Sequence, residues 1–170
     1  MSELDEARRE KDAFLRESHQ SPLLPEQRST FTGLKYFPEN PKLRLKVEVD
    51  RFPEQELIQI QTNTGEVQTY TRYGIFKFAV DGDQAELTIL ENENGYFLPF
   101  ADSLAGTETY GAGRYIEPSR LADGRFRVDF NEAYNPYCAY NEMWSCPITP
   151  PENRLKVPVR AGEKVFEVKK

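Results

Sequence analysis

The stretch from Asp129 to Pro147 holds both cysteines of the chain, Cys138 and Cys146, its single tryptophan, Trp144, and three of its nine tyrosines. It follows neither the helical period nor strand alternation, so a face turned toward a core does not account for its composition. Asparagine, tyrosine and cysteine at this density need many hydrogen-bond partners when buried, and they line a binding site when partly open. Tyr137, Cys138 and Asn141 are therefore candidate ligand contacts. The same residues have an architectural reading, because tyrosine buries its ring with the hydroxyl at the rim and asparagine serves turns. Asp129 and Asn131 flank Phe130 at a strand end. Alternation there sets the two polar groups on one face, either as a binding pair or as a cap for the next turn.

A second segment, Gly106 to Tyr115, carries glycines at 106, 111 and 113. Glycine lets a backbone approach a ligand closely, and Arg114 offers a planar fork suited to a carboxylate or phosphate. Glu108 in the same segment is either a ligand contact or an internal partner for Arg114. With Asp102 and Asp129 it is also a candidate general base, provided burial or a like charge raises its pKa. The glycine spacing is not a dinucleotide fingerprint, and the chain has no Walker motif and no G-x-S-x-G turn.

The cysteines narrow the chemistry further. A catalytic thiol needs a base or a positive setting. The only histidine, His19, is remote in sequence, so a cysteine–histidine dyad requires the first helix to pack beside the Asp129–Pro147 stretch. Two cysteines and one histidine fall short of a structural zinc site, and no metal is expected. Reduced, packed thiols are the expectation, although a hairpin could bridge Cys138 and Cys146. No motif indicates a cofactor; a flavin held in a β-fold rests on analogy alone.

The elements that must position these residues are mostly strands. Residues 2–19 read as a helix, opened by a Ser2/Asp5 capping box and acidic at its first turn. Its apolar stripe, Leu4, Ala7, Phe14 and Leu15, is thin, which suits a helix on the outside of the domain or one that pairs with a partner, including a homo-oligomer formed through it. Residues 1–25 form the helix and connector, and 26–170 a single β-rich domain. Strands are expected at 43–49, 56–62, 66–73, 75–80, 86–90, 96–100, 125–130 and 164–168, with turns at Asn63-Thr64-Gly65, Asp81-Gly82, Asn94-Gly95 and Asp123-Gly124. The fold class is mainly β, an antiparallel β-barrel or sandwich with an N-terminal α-helix. Pro150-Pro151-Glu152-Asn153-Arg154 reads as a rigid strap, or as a segment laid against the site.

A net charge of -6 with scattered lysines and arginines argues against nucleic-acid binding. No apolar run reaches membrane-spanning length, and the N-terminus lacks the basic start and apolar core of a signal peptide, so a cytoplasmic location without membrane partners is expected.

The order Gly106-Thr107-Glu108-Thr109-Tyr110 with Gly113-Arg114-Tyr115, then Asp129-Phe130-Asn131, Asn135-Pro136-Tyr137-Cys138-Ala139-Tyr140-Asn141, Ser145-Cys146-Pro147 and Pro151-Glu152-Asn153-Arg154-Leu155, resembles the DUF1684 family. Lys11-Asp12, Ser21-Pro22-Leu23 and Phe31 to Phe37 fit it too, and the chain departs from it at Ser103-Leu104-Ala105-Gly106. The resemblance implies a prokaryotic protein with one complete domain and brings no site assignment. Three functional readings follow from the residues. One is a small polar or anionic ligand bound at one end of a β-barrel through Glu108, Arg114, Asp129, Asn131, Tyr137, Cys138 and Asn141. Another is a hydrolase- or lyase-like enzyme with a carboxylate base. The third is an interaction or scaffold module docking through the first helix.

Overall fold

Along residues 67–80 apolar and polar side chains alternate, and Phe76, Phe78 and Val80 enter the core while Lys77 and Ala79 face solvent. This alternation builds the longest strand of the fold. In the computed structural model, which describes residues 2–166, helices α1 (Glu3–Glu17) and α2 (Pro25–Thr30) precede nine strands. These are β1 (Arg44–Val47), β2 (Asp50–Arg51), β3 (Leu57–Gln61), β4 (Val67–Val80), β5 (Asp83–Asn92), β6 (Gly95–Phe100), β7 (Arg114–Ile116), β8 (Ser119–Arg120) and β9 (Phe126–Asp129). The larger sheet has the order β2-β4-β5-β6-β7 with β3 also paired to β4, and the smaller has the order β1-β9-β8. Every ladder is antiparallel.

The two sheets are not closed on one another, so of the two expected architectures the sandwich-like one fits and the barrel does not appear. Their facing sides share one core. Phe76, Phe78, Leu87, Ile89, Leu98 and Phe100 from the larger sheet meet Val47, Phe126 and Val128 from the smaller. Phe130 stacks on Phe78 at 5.1 Å and meets Phe100 edge-on at 5.2 Å, which locks the end of β9 against the larger sheet. Val157, Val159 and Ala161 of the C-terminal segment complete the layer.

Several boundaries differ from expectation for identifiable reasons. The stretches 66–73 and 75–80 are one strand, with a bulge between Arg72 and Gly74 instead of a break. The stretch 43–49 is shortened to β1, which pairs with β9, and beyond it the chain crosses to pair β2 with β4. β9 ends at Asp129, whose side chain caps a 3₁₀ turn at Phe130–Glu132, so strand alternation does not run through Asn131. Residues 164–166 form no strand, and positions 167 and 168 of the expected closing strand lie outside the described residues. α1 begins with the expected Ser2/Asp5 capping box. No helix among the described residues is long and apolar enough to cross a membrane.

The strap at Pro150–Arg154 is built into the larger sheet. β5 and β6 are in register at Leu90↔Phe97, Glu91↔Tyr96 and Asn92↔Gly95. Continued by two residues, that register would set Thr88 opposite Pro99, which has no N–H to donate. The side chain of Asn153 enters there instead. Its Oδ1 accepts the Thr88 N–H at 2.8 Å, and its Nδ2 donates to the carbonyls of Thr88 and Pro99 at 2.9 and 2.8 Å. Asn153 is fully buried, and its truncation would leave these backbone groups without partners. Asn153→Ala is expected to lower the unfolding free energy by roughly 2–4 kcal/mol in urea denaturation. Glu152→Ala, which removes a partly exposed pair with Arg72, is expected to cost below about 1 kcal/mol.

Candidate functional site

Gly113 adopts φ +106°, and a Cβ there would meet the Phe100 carbonyl oxygen at 2.6 Å, so only glycine lets the chain enter β7 beside β6 at this point. That entry carries Arg114 into the interior, where it is 1 % exposed. Its Nη1 donates to the carbonyls of Ala161 and Glu163 at 2.5 and 3.0 Å, and its Nη2 to the carbonyl of Val159 at 3.0 Å. Asp102 stands 4.0 Å from Nη2. Burial pushes the guanidinium down to about 10, against the opposing pull of Asp102 and Glu163, and it stays charged at neutral pH. Arg114 thus holds the C-terminal segment and is not presented to an external anion.

The other expected site residues fall in separate places. Glu108 is exposed on the surface, 3.7 Å from Arg160, and does not pair with Arg114. Asp129 and Asn131 do come together, but as a buried structural knot. Asp129 Oδ1 accepts both the backbone and side-chain N–H of Asn131 at 2.9 Å, and Oδ2 pairs with Arg44 and Arg127. Asn131 in turn clasps the backbone of Asn40 through both ends of its amide. Asp102 is occupied by Thr109 and by the Val159 N–H. Asp102, Glu108 and Asp129 therefore do not share a site. Asn141 accepts the Met143 N–H within its own turn.

Tyr137 and Cys138 lead to a different place. A cleft of about 530 Å³ opens between α1 and the 134–147 stretch, lined among others by Lys11, Phe14, Tyr115, Tyr134, Tyr137, Trp144 and Cys146. One wall comes from α1, which docks by reach as much as by apolar contact. Arg8 donates to the Phe37 carbonyl, Asp12 accepts the Leu34 N–H at 3.0 Å, and Leu15 packs with Leu23 and Tyr140. The opposite wall is set by the β3–β4 turn. Asn63 exchanges hydrogen bonds with the backbone of Cys146, Ser145 joins Thr62 and Thr64, and the Ile148 N–H bonds the Gln61 carbonyl. The Trp144 indole donates to the Pro22 carbonyl at 3.2 Å, and its ring meets Tyr137 edge-on at 5.4 Å.

Lys11, which lines the cleft, is held from within by Glu163, buried at 3 % exposure. Its carboxylate pairs with Lys11, accepts the Asn135 N–H at 2.9 Å and the Tyr140 hydroxyl at 3.4 Å. Lys11 Nζ also lies 5.2 Å from the centre of the Tyr134 ring. Burial raises the phenols of Tyr134 and Tyr140 well above their ordinary range, so both stay protonated as donors.

Behind the cleft wall the two thiols are reduced and adjacent. The Cys138 N–H donates to Cys146 Sγ at 3.3 Å, and the Tyr110 hydroxyl lies 3.6 Å from Cys138 Sγ. A hydrogen bond from the Cys146 thiol, helped by Tyr110, pulls Cys138 down to about 7 against the effect of burial. The same hydrogen bond and burial push Cys146 up. α1 does pack beside this stretch, yet His19 sits exposed in the turn beyond the helix. Sequence reasoning overlooked Glu163 and Tyr134, which carry no motif, and it took Lys11 only as part of the family resemblance, with no role at a site.

The model of the family described as a protein of unknown function, DUF1684, matches residues 29–164, and the chain belongs to that family. The solution NMR structure of an uncharacterised protein from gene locus rrnAC0354 of Haloarcula marismortui is similar to it, with 37% identity over 95% of this chain and 91% of that one and a TM-score of 0.70. No curated protein matches the chain.

Replacing Arg114 by methionine leaves Asp102 buried without its counter-charge and three carbonyls without donors. Arg114→Met is expected to lose roughly 3–5 kcal/mol of unfolding free energy by chemical denaturation, a loss that no added anion restores.

Proposed function

We propose that this member of the DUF1684 family binds a small ligand with a flat apolar body and one anionic group, in the cleft between α1 and the 134–147 stretch. The observation that carries the reading is the lining. Phe14, Tyr115, Tyr134, Tyr137 and Trp144 surround a space of about 530 Å³, within the ordinary range for a small-molecule site. Trp144 and Tyr137 line the cleft and remain 39% and 41% exposed, surface that a ligand would cover. Indole and phenol rings of this kind favour a planar ligand that stacks or meets them edge-on.

The preference for an anion rests on Lys11. An ammonium group has three donors, and Glu163 and the Tyr134 face account for two directions. The third supports a carboxylate, sulfonate or similar group at the helix side of the cleft. The pairing with Glu163 fixes the lysine in place, which reduces what binding costs in side-chain freedom.

Anilinonaphthalenesulfonate combines a flat apolar body with one negative charge and is a suitable probe. Its emission on titration is expected to show saturable binding at one site per chain. Trp144→Ala and Tyr137→Ala should each weaken binding about tenfold or more, equivalent to about 1.4 kcal/mol. Lys11→Gln should weaken the sulfonate selectively and leave phenylnaphthylamine, its neutral counterpart, bound as before. Far-ultraviolet dichroism and melting curves identify any variant that has lost its fold. Binding that ignores both aromatic substitutions in folded protein would overturn the assignment of the cleft.

A further inference from the structure

We infer that Cys138 and Cys146 form a peroxide-reactive dithiol, in which Cys138 is the attacking sulfur and Cys146 the resolving one. The geometry brings the two side chains together. Cys138 is the central residue of the 3₁₀ turn Tyr137–Ala139, and its own N–H donates to Cys146 Sγ at 3.3 Å. A sulfur in contact with the amide of another cysteine stands a side-chain rotation from that cysteine's sulfur. Both thiols belong to one packed cluster with Tyr115, and Tyr110 supplies a hydroxyl at 3.6 Å to Cys138. Cys146 reaches the cleft wall, which gives a small oxidant a way in.

The electrostatics distinguish the two sulfurs. Cys138 sits at about 7 because the Cys146 thiol and Tyr110 both donate toward it. A sizeable fraction is therefore thiolate at neutral pH, and the thiolate is the nucleophile. Cys146, pushed up, remains a protonated donor until the first step has occurred.

The chemistry balances with a hydroperoxide as oxidant. The Cys138 thiolate attacks the terminal peroxide oxygen, an S–O bond forms and the O–O bond breaks. The alkoxide or hydroxide leaves and takes a proton as alcohol or water, leaving Cys138 as a sulfenic acid. The Cys146 sulfur then attacks that sulfur, the S–S bond forms and the S–O bond breaks. Hydroxide departs with the Cys146 proton as water. Two thiols are oxidised by two electrons and one peroxide is reduced. The resulting ring encloses residues 139–145, including Trp144, so closure changes the tryptophan's surroundings and one wall of the cleft.

The test uses the full chain and hydrogen peroxide. Intact-mass spectrometry of the wild type after treatment is expected to show loss of two hydrogens, disappearance of both thiols together and no covalent dimer, with a parallel change in Trp144 emission reversed by a dithiol reductant. In Cys146→Ser, a sulfenic-acid trap such as dimedone should label Cys138; in Cys138→Ser, labelling of Cys146 should fall at least tenfold. The rate of the first step should rise with pH about a midpoint near 7, and Tyr110→Phe should move that midpoint upward. Stepwise gain of oxygen on Cys138 without pairing would overturn the proposal. So would equal labelling of Cys146 in Cys138→Ser, or thiols that stay unreacted in folded wild type. The mass measurement needs neither variant nor ligand, so its outcome is independent of what the cleft binds.

Discussion

The buried guanidinium of Arg114 is the interaction on which the rest of the arrangement depends. Its acceptors, the carbonyls of Val159, Ala161 and Glu163, lie along one irregular segment that bends at Gly162, where φ is +81°. A bent segment cannot offer these carbonyls to a regular ladder; a side chain satisfies them instead. The cost is desolvation of a charge, offset by Asp102 and by several charge-assisted hydrogen bonds. Because the same residue, Glu163, accepts Arg114 through its backbone and Lys11 through its carboxylate, the interior clamp and the docking of α1 share a joint.

That joint explains why the cleft has the walls it has. α1 has little apolar surface to offer, and it is held by Arg8, Lys11 and Asp12 reaching to backbone and to Glu163, with Leu15 as its buried anchor. The 134–147 stretch is irregular because its polar groups are spent on neighbours: Asn135 on Glu163 and Lys164, Cys146 on Asn63, Trp144 on Pro22. What the two share is the aromatic surface left between them.

The sequence was most legible where one local rule dominated. The β4–β5 and β5–β6 hairpins follow from Asp81-Gly82 and Asn94-Gly95, and α1 from its capping box. Legibility failed where a long-range partner decided the outcome. Arg114 looks the same in sequence whether it faces an anion outside or carbonyls inside, and Asp129 with Asn131 reads equally as a binding pair or a knot. The stretch from Asp129 to Pro147 was identifiable as unusual by composition, but its cleft requires α1, which is more than a hundred residues away along the chain. Glu163 carried no local signal, since a lone acid near the C-terminus between Gly162 and Lys164 reads as solvated surface.

The junction of Pro99 with Asn153 ties together two positions far apart in sequence. The proline withholds the donor that would let β5 and β6 continue pairing, and the asparagine occupies the opening so created. Restoring an N–H at 99 would favour a longer ladder, but only by competing for the Thr88 carbonyl that Asn153 already holds. Exchange at either position alone therefore meets a penalty that exchange at both relieves, and the effects of the two will not sum. The larger sheet is in this sense epistatic by construction: a residue missing a hydrogen at one strand dictates which residue the chain can carry in its strap.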